Sequence, residues 1–253
     1  MNKTFLTYEK PLLTCMVQAK TPDRIKELAD KAIPEGAEAF GMQFCKLEDE
    51  YRNKETYREL YDYVAPLPIY VTNYRRYGSN QNKSEDMLAA ELLELAECGA
   101  TLCDVMGDFF APCEGELTMD DEAVKKQIAL IDELHQKGAE VLMSSHVLKF
   151  TPAERVLEIA LEHQRRGADI AKIVTGAKTM EEQLENLRIV HLLKQNLSIP
   201  FLFLAGGESY ISRRLGGAIG NCMTLCVYEH DELSTKAQPL LRDVKLLRDT
   251  LGL

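Results

Sequence analysis

The sequence predicts an α/β protein of the (β/α)8 TIM-barrel class, and three observations carry that reading. Eight short apolar or β-rich runs alternate with eight helix-like runs through the 253 residues, and strict βα alternation implies a parallel sheet. Eight such units in about 250 residues is what a closed barrel requires. No break in composition marks a linker, so a single barrel domain over 1–253 with a short N-terminal arm is expected. A doubly wound open sheet is the competing fold. It usually uses fewer strands, and no G-x-G-x-x-G follows the first strand here.

The elements follow in order. The strand-like runs are LLTCMVQ (12–18), AEAFGMQF (37–44), IYVTNYR (69–75), TLCDVMG (101–107), EVLMSSH (140–146), IAKIVTG (170–176), PFLFLAG (200–206) and CMTLCVY (222–228). Strands covered on both faces read as such near-continuous apolar runs. The clearest helical spacings between them lie at 23–33, 87–98, 122–138, 153–167, 181–195 and 239–251. Gly99, Gly138 and Gly167 follow helix ends, where a left-handed residue closes the last turn. Thr21–Pro22 and Thr151–Pro152 read as helix starts, an N-cap followed by proline.

Composition narrows the class. At 45% hydrophobic and 28% charged, the chain can bury a sizeable core, which disfavours disorder. The longest apolar runs fall far short of the roughly 20 residues of a membrane span, and the N-terminus lacks the apolar stretch of a secretory signal. The net charge of −10 repels phosphate backbones, so no nucleic-acid partner is expected. Seven cysteines without CxxC spacing read as buried thiols of a cytoplasmic protein rather than a zinc site or disulfide framework.

In a barrel of this kind chemistry sits at the C-terminal ends of the strands. The fifth strand ends in His146, the sixth carries Lys172 inside an apolar run, and the seventh leads through AGGES to Arg213. A lysine there is either an outward side chain, a structural ion pair, or an amine in a low-dielectric barrel mouth. In the last case desolvation favours the neutral, nucleophilic form, which condenses with a ketone to an iminium. His146 on the neighbouring strand is then the expected proton shuttle. The other histidines (135, 163, 191, 230) read as solvated. No cluster has metal-ligand spacing, and Ala205–Gly207 reads as a tight turn, so neither metal nor other cofactor is expected.

The segments VLMSSHVLKFTP, GADIAKIVTGAKT and ISRRLGG resemble, in order and spacing, three signature stretches of the type I 3-dehydroquinate dehydratases, and the likeness extends over nearly the whole chain. The resemblance implies a cytoplasmic, homodimeric Schiff-base lyase of the shikimate pathway and aromatic amino acid biosynthesis, converting 3-dehydroquinate to 3-dehydroshikimate and water. It puts the Schiff-base lysine on Lys172, the acid/base histidine on His146 and the carboxylate-clamping arginine on Arg213. The substrate-covering Ser-x-x-x-Gln pair falls on Ser234 and Gln238, allowing two extra residues after the last strand.

Departures are as informative. The second-strand Glu-x-Arg becomes Gly41 and Gln43, leaving Gln43 as the substrate-facing group. After the third strand, the arginine and the glutamate that supports the histidine become Tyr74 and Gly78, with Arg75 the available substitute for the arginine. The fourth-strand Asp-x-Glu becomes Asp104 and Met106, and a first-strand serine becomes Met16. Three carboxylates are therefore missing. Asp104, Asp108 and Glu208 are the candidates to orient His146, and without such a partner turnover is expected to be slow. The alternatives are a Schiff-base lyase or aldolase-like enzyme on another carboxylate-bearing β-hydroxy ketone, and a catalytically weak binding barrel.

Overall fold

Successive side chains of a strand point to opposite faces, and here that alternation sorts the apolar residues into an inner and an outer core. The structure, a computed structural model, describes residues 4–6, 11–207 and 211–252. Its strands are β1 (Leu12–Val17), β2 (Ala39–Gln43), β3 (Ile69–Thr72), β4 (Leu102–Met106), β5 (Glu140–His146), β6 (Ile170–Ala177), β7 (Phe201–Gly207) and β8 (Met223–Cys226). The helices are α1 (Pro22–Glu35), α2 (Lys54–Tyr63), α3 (Glu85–Glu97), α4 (Asp121–Gln136), α5 (Ala153–Arg165), α6 (Met180–Asn196), α7 (Ile211–Ile219) and α8 (Leu241–Leu251). All strand pairs are parallel, in the order β7-β6-β5-β4-β3-β2-β1-β8.

The sheet nearly closes, and the seam between β7 and β8 is stitched by a side chain. Asn221 accepts from Phe203 N at 2.9 Å and donates to Phe203 O at 3.0 Å, while Cys222 N donates to Phe201 O at 3.0 Å. A β-carbon on Gly216 would lie 2.4 Å from the Asn221 amide, so the helix residue facing this stitch has to be small. The eight βα units expected from the sequence are therefore present as a (β/α)8 barrel.

Inside, Leu12, Ala39, Leu102, Leu142, Ile170, Leu202 and Met223 pack together with Phe5 of the N-terminal arm. Phe5 is 2% exposed, and its backbone N–H donates to Glu140 Oε2 at 2.9 Å. Burying one such ring contributes about 1.5–3 kcal/mol. Outside, Val71, Cys103, Val105, Val141 and Met143 meet α1–α4 in one cluster. Ala171, Ile173, Phe201 and Phe203 meet α5 and α6 in another.

Local punctuation explains most helix boundaries. Gly99, Gly138 and Gly167 adopt φ of +111°, +85° and +96° just past α3, α4 and α5. The Thr21 side chain caps α1 by accepting from Arg24 N. Thr151 does not cap α5: its hydroxyl donates to Lys149 O, Pro152 occupies the cap position, and Ala153 N is satisfied by Glu185 of α6 at 3.0 Å. Helix α2, absent from the clear helical spacings, starts at Asn53, whose side chain accepts from Thr56 N at 3.0 Å. Among the described residues no helix is long and apolar enough to cross a membrane.

Candidate active site

Lys172 lies on β6 between Ile170 and Val174, both in the inner core. Its side chain therefore points into the barrel. The residue is 4% exposed, and Nζ has three partners: Tyr74 Oη at 2.6 Å, Tyr70 Oη at 3.0 Å and Asp104 Oδ2 at 3.0 Å. Both phenols also donate to Asp104 Oδ2, Tyr74 at 2.6 Å, and Ser144 donates to Oδ1 at 2.5 Å. The three donors of an ammonium and the carboxylate opposite are thus all engaged, as a buried charge pair requires. Burial pulls the Lys172 amine below its usual range against the opposing pull of Asp104. Burial works to raise the Asp104 carboxyl, but Lys172, His146, Ser144 and Tyr70 together hold it low.

His146 ends β5 next door. Its Nδ1 lies 2.6 Å from Glu116 Oε2, and its backbone N–H donates to the same oxygen at 3.0 Å. The other Glu116 oxygen pairs with Arg76 Nη1 at 2.5 Å, and the His146 ring packs edge-on against Tyr74, centroids 5.2 Å apart. A carboxylate on Nδ1 directs the remaining ring nitrogen outward as the chemically available one. Burial and the Lys172 charge push the imidazole below its ordinary range, with Glu116 acting the other way. The imidazole is consequently a neutral base at neutral pH.

Glu116 sits in the β4–α4 connection at φ +50°, an uncommon conformation for a residue with a side chain. The surroundings over-determine it. Ser145 Oγ donates to Glu116 O at 2.6 Å. The fully buried Arg166 ties the loop down through Gly107 O at 3.0 Å and Thr118 O at 2.6 Å.

These groups open onto a cavity of about 300 Å³ lined by Lys172, His146, Tyr70, Tyr74, Arg76, Gln43 and Arg213, with Met16, Val174, Leu204 and Leu225 as its apolar wall. Arg213, 9% exposed on α7, donates from Nε to Ala205 O at 2.9 Å and has no carboxylate partner among the described residues. Burial alone pushes its guanidinium down to about 10. Gln18 bridges the opposite wall, donating to Gln43 Oε1 at 2.5 Å and to Thr235 Oγ1 at 2.9 Å. Gln238 also lines the cavity, and its buried Oε1 has no partner among the described residues.

The structure therefore brings together Lys172, His146, Arg213, Gln43 and Gln238. Ser234 is held apart: its hydroxyl binds the Asp231 backbone at 2.9 and 3.1 Å, and Thr235 faces the cavity in its stead. The expected partners of His146 are engaged elsewhere, Asp104 with Lys172 and Asp108 with Arg75 at 2.6 Å. Glu208 falls outside the described residues. Arg75 is not the substitute arginine, because Glu85 and Asp108 hold it away and Arg76 takes the cavity wall. His163 is not solvated: it is fully buried against Ser145 Oγ at 2.9 Å, and burial and Arg166 push it down to about 3. At the missing second-strand glutamate, a β-carbon on Gly41 would lie 2.0 Å from Met16 Sδ. The thioether fills the space the carboxylate would need.

Glu116, Tyr70, Tyr74 and Arg76 are site residues whose place sequence reasoning missed. Glu116 lies in an irregular loop without periodicity, and its one signal is a carboxylate after a glycine in CEGEL.

Residues 14–252 match the family description Type I 3-dehydroquinase. A 3-dehydroquinate dehydratase of Klebsiella pneumoniae is 26% identical over 230 residues, 88% of this chain and 86% of that protein. One of Geobacillus thermodenitrificans is 31% identical over 121 residues, 47% of this chain and 46% of that protein, so this alignment covers about half of either sequence. Among solved structures, the 3-dehydroquinate dehydratase of Geobacillus kaustophilus superposes with a TM-score of 0.83 at 18% identity, covering 99% of this chain and 95% of that one. The type I enzyme of Clostridium difficile, solved with covalently modified comenic acid, gives 0.80 at 19%, covering 97% and 94%. With the family match spanning nearly all of its length, the chain belongs to the type I 3-dehydroquinase family.

Proposed function

We propose that this chain is a 3-dehydroquinate dehydratase that removes water through a Schiff base on Lys172. The observation that carries the reading is a buried amine and a carboxylate-held imidazole opening side by side onto one cavity. The amine adds to the substrate ketone and, with loss of water, leaves a protonated imine. That cation acidifies the neighbouring C–H by taking up its electron pair. His146 removes the α-proton, and the electron pair passes into an enamine. The enamine then expels the β-hydroxyl, to which His146 returns the proton, releasing a second water. Hydrolysis of the imine returns the lysine. Arg213 holds the substrate carboxylate, a planar fork suited to two parallel bonds, while Gln43 and Gln238 offer amides to the ring hydroxyls.

Borohydride in the presence of 3-dehydroquinate tests this directly. A reduced adduct on Lys172, found by mass spectrometry alongside product formation, is the expected result. Absence of both overturns it. The filled space at Gly41 supports a second reading, in which the same chemistry serves another carboxylate-bearing β-hydroxy ketone. Trapping by such ketones but not by dehydroquinate would favour it. With the family reading go a homodimer and a cytoplasmic location, to be checked by sedimentation velocity and cell fractionation.

A further inference from the structure

Lys172 cannot attack a ketone as the ammonium its three partners describe, because its lone pair is occupied by a proton. That proton has to leave, and the ketone oxygen has to receive one. Asp104 is the nearest base, 3.0 Å from Nζ. Its side chain, however, is fully buried and forms no part of the cavity wall. A substrate oxygen therefore cannot reach it. The two phenols stand between: each bonds both Nζ and Asp104 Oδ2, and each lines the cavity. Tyr74 makes the shorter contact with Nζ, 2.6 Å against 3.0 Å for Tyr70, and it alone of the two packs against the His146 ring.

We propose that Tyr74 is a further catalytic residue, relaying protons between Asp104 and the reacting nitrogen and oxygen during Schiff-base formation. The inference rests on the dehydratase reading above. In the forward direction Nζ gives a proton to the Tyr74 oxygen as the phenol proton passes to Asp104. The freed lone pair adds to the ketone carbon, forming the C–N bond and moving the carbonyl π pair onto oxygen. Asp104 returns its proton through Tyr74 to that oxygen, giving the carbinolamine. A second N–H proton takes the same path to the hydroxyl, which leaves as water while nitrogen's pair closes the C=N bond. The sum is ammonium plus ketone going to protonated imine plus water. No proton leaves the site and no co-reactant is needed.

This separates the work into two devices. Tyr74 and Asp104 serve the C–N bond, and His146 and Glu116 serve the C–H and C–O bonds.

The test measures the rate of adduct appearance in single turnovers of 3-dehydroquinate, quenched with borohydride, for the wild type, Tyr74→Phe and Tyr70→Phe, each in H2O and D2O. A misplaced lysine would slow adduct formation without removing its dependence on an exchangeable proton, so the isotope effect distinguishes relay from support. Tyr74→Phe is expected to slow adduct formation by about 10²-fold or more, the low end of a general acid/base contribution, and to lose the solvent isotope effect that Tyr70→Phe retains. A Tyr74→Phe protein that melts like the wild type and forms adduct at the wild-type rate, or keeps the isotope effect, overturns the relay alone. A wild type that forms no adduct overturns the dehydratase reading as well.

Discussion

In the proposed reaction, proton transfer by His146 depends on Glu116, and Glu116→Gln isolates its charge with little change in shape. The carboxylate bonds Nδ1 at 2.6 Å and the His146 backbone N–H at 3.0 Å. Replacing a charge-assisted hydrogen bond by a neutral one loses about 1–1.5 kcal/mol, the gap between typical values for the two kinds. At 1.4 kcal/mol per tenfold, that lowers kcat about five- to tenfold. Glu116→Ala, which loses the whole interaction and leaves Arg76 unpaired, falls about 10- to 100-fold. The pH dependence gives an independent readout. Glu116 opposes burial and so raises the His146 pKa. Without its charge the imidazole stays neutral to lower pH, and the acid limb of kcat/KM moves to lower pH while the plateau drops. Initial rates followed by the ultraviolet absorbance of the conjugated enone measure both. Unchanged kcat with an unmoved acid limb in Glu116→Gln would refute the orienting role.

Three further outcomes follow from the same contacts. Arg213→Ala should cut kcat/KM about 10- to 100-fold, the worth of a charge-assisted pair, chiefly through KM; an equal loss on an uncharged ketone would remove the clamp assignment. Lys172→Met should abolish the borohydride adduct and cost about 3–5 kcal/mol in chemical denaturation, because Asp104 is left buried without its cation. The Lys172→Met, Asp104→Leu double variant should recover part of that loss, and a single variant as stable as the wild type would show the pair is not charged. Gly41→Ala puts a methyl group where Met16 Sδ lies and should destabilise by about 1–3 kcal/mol. Adding Met16→Ala should relieve it, and strictly additive effects would contradict the packing.

The barrel was legible because its determinants are local and periodic. Strands covered on both faces leave continuous apolar runs, and glycines close the helices where a left-handed turn is needed. Lys172 and His146 were legible because an ionisable side chain breaks such a run at a strand's rim. Helix α2 was not, since KETYRELYDY buries aromatic and threonine side chains rather than a plain aliphatic stripe. Glu116 was not, since its position depends on Ser145 and Arg166, remote in sequence and fixing a loop by backbone carbonyls. The same distance effect hid Tyr74: it reads as a lost arginine until the fold carries its phenol across the barrel to strand six. Arg75 and Arg76 are adjacent, and only the direction of the chain after β3 decides which one faces the cavity.

The distribution of charge ties these departures together. Lys172 has Asp104, and Arg76 shares Glu116 with His146, so with the imidazole neutral both proton-handling pairs balance. Arg213 has no such partner among the described residues and is held in a site where burial already weakens its hold on the proton. An anion arriving beside a buried cation relieves part of the cost of its burial. In the proposed reaction that anion is the substrate carboxylate. The missing glutamate at the second strand fits the packing as well: at position 41 it would have to displace Met16, and it would add a negative charge to the cavity. The chain thus holds a carboxylate beside each group proposed to move a proton and none, among the described residues, beside Arg213.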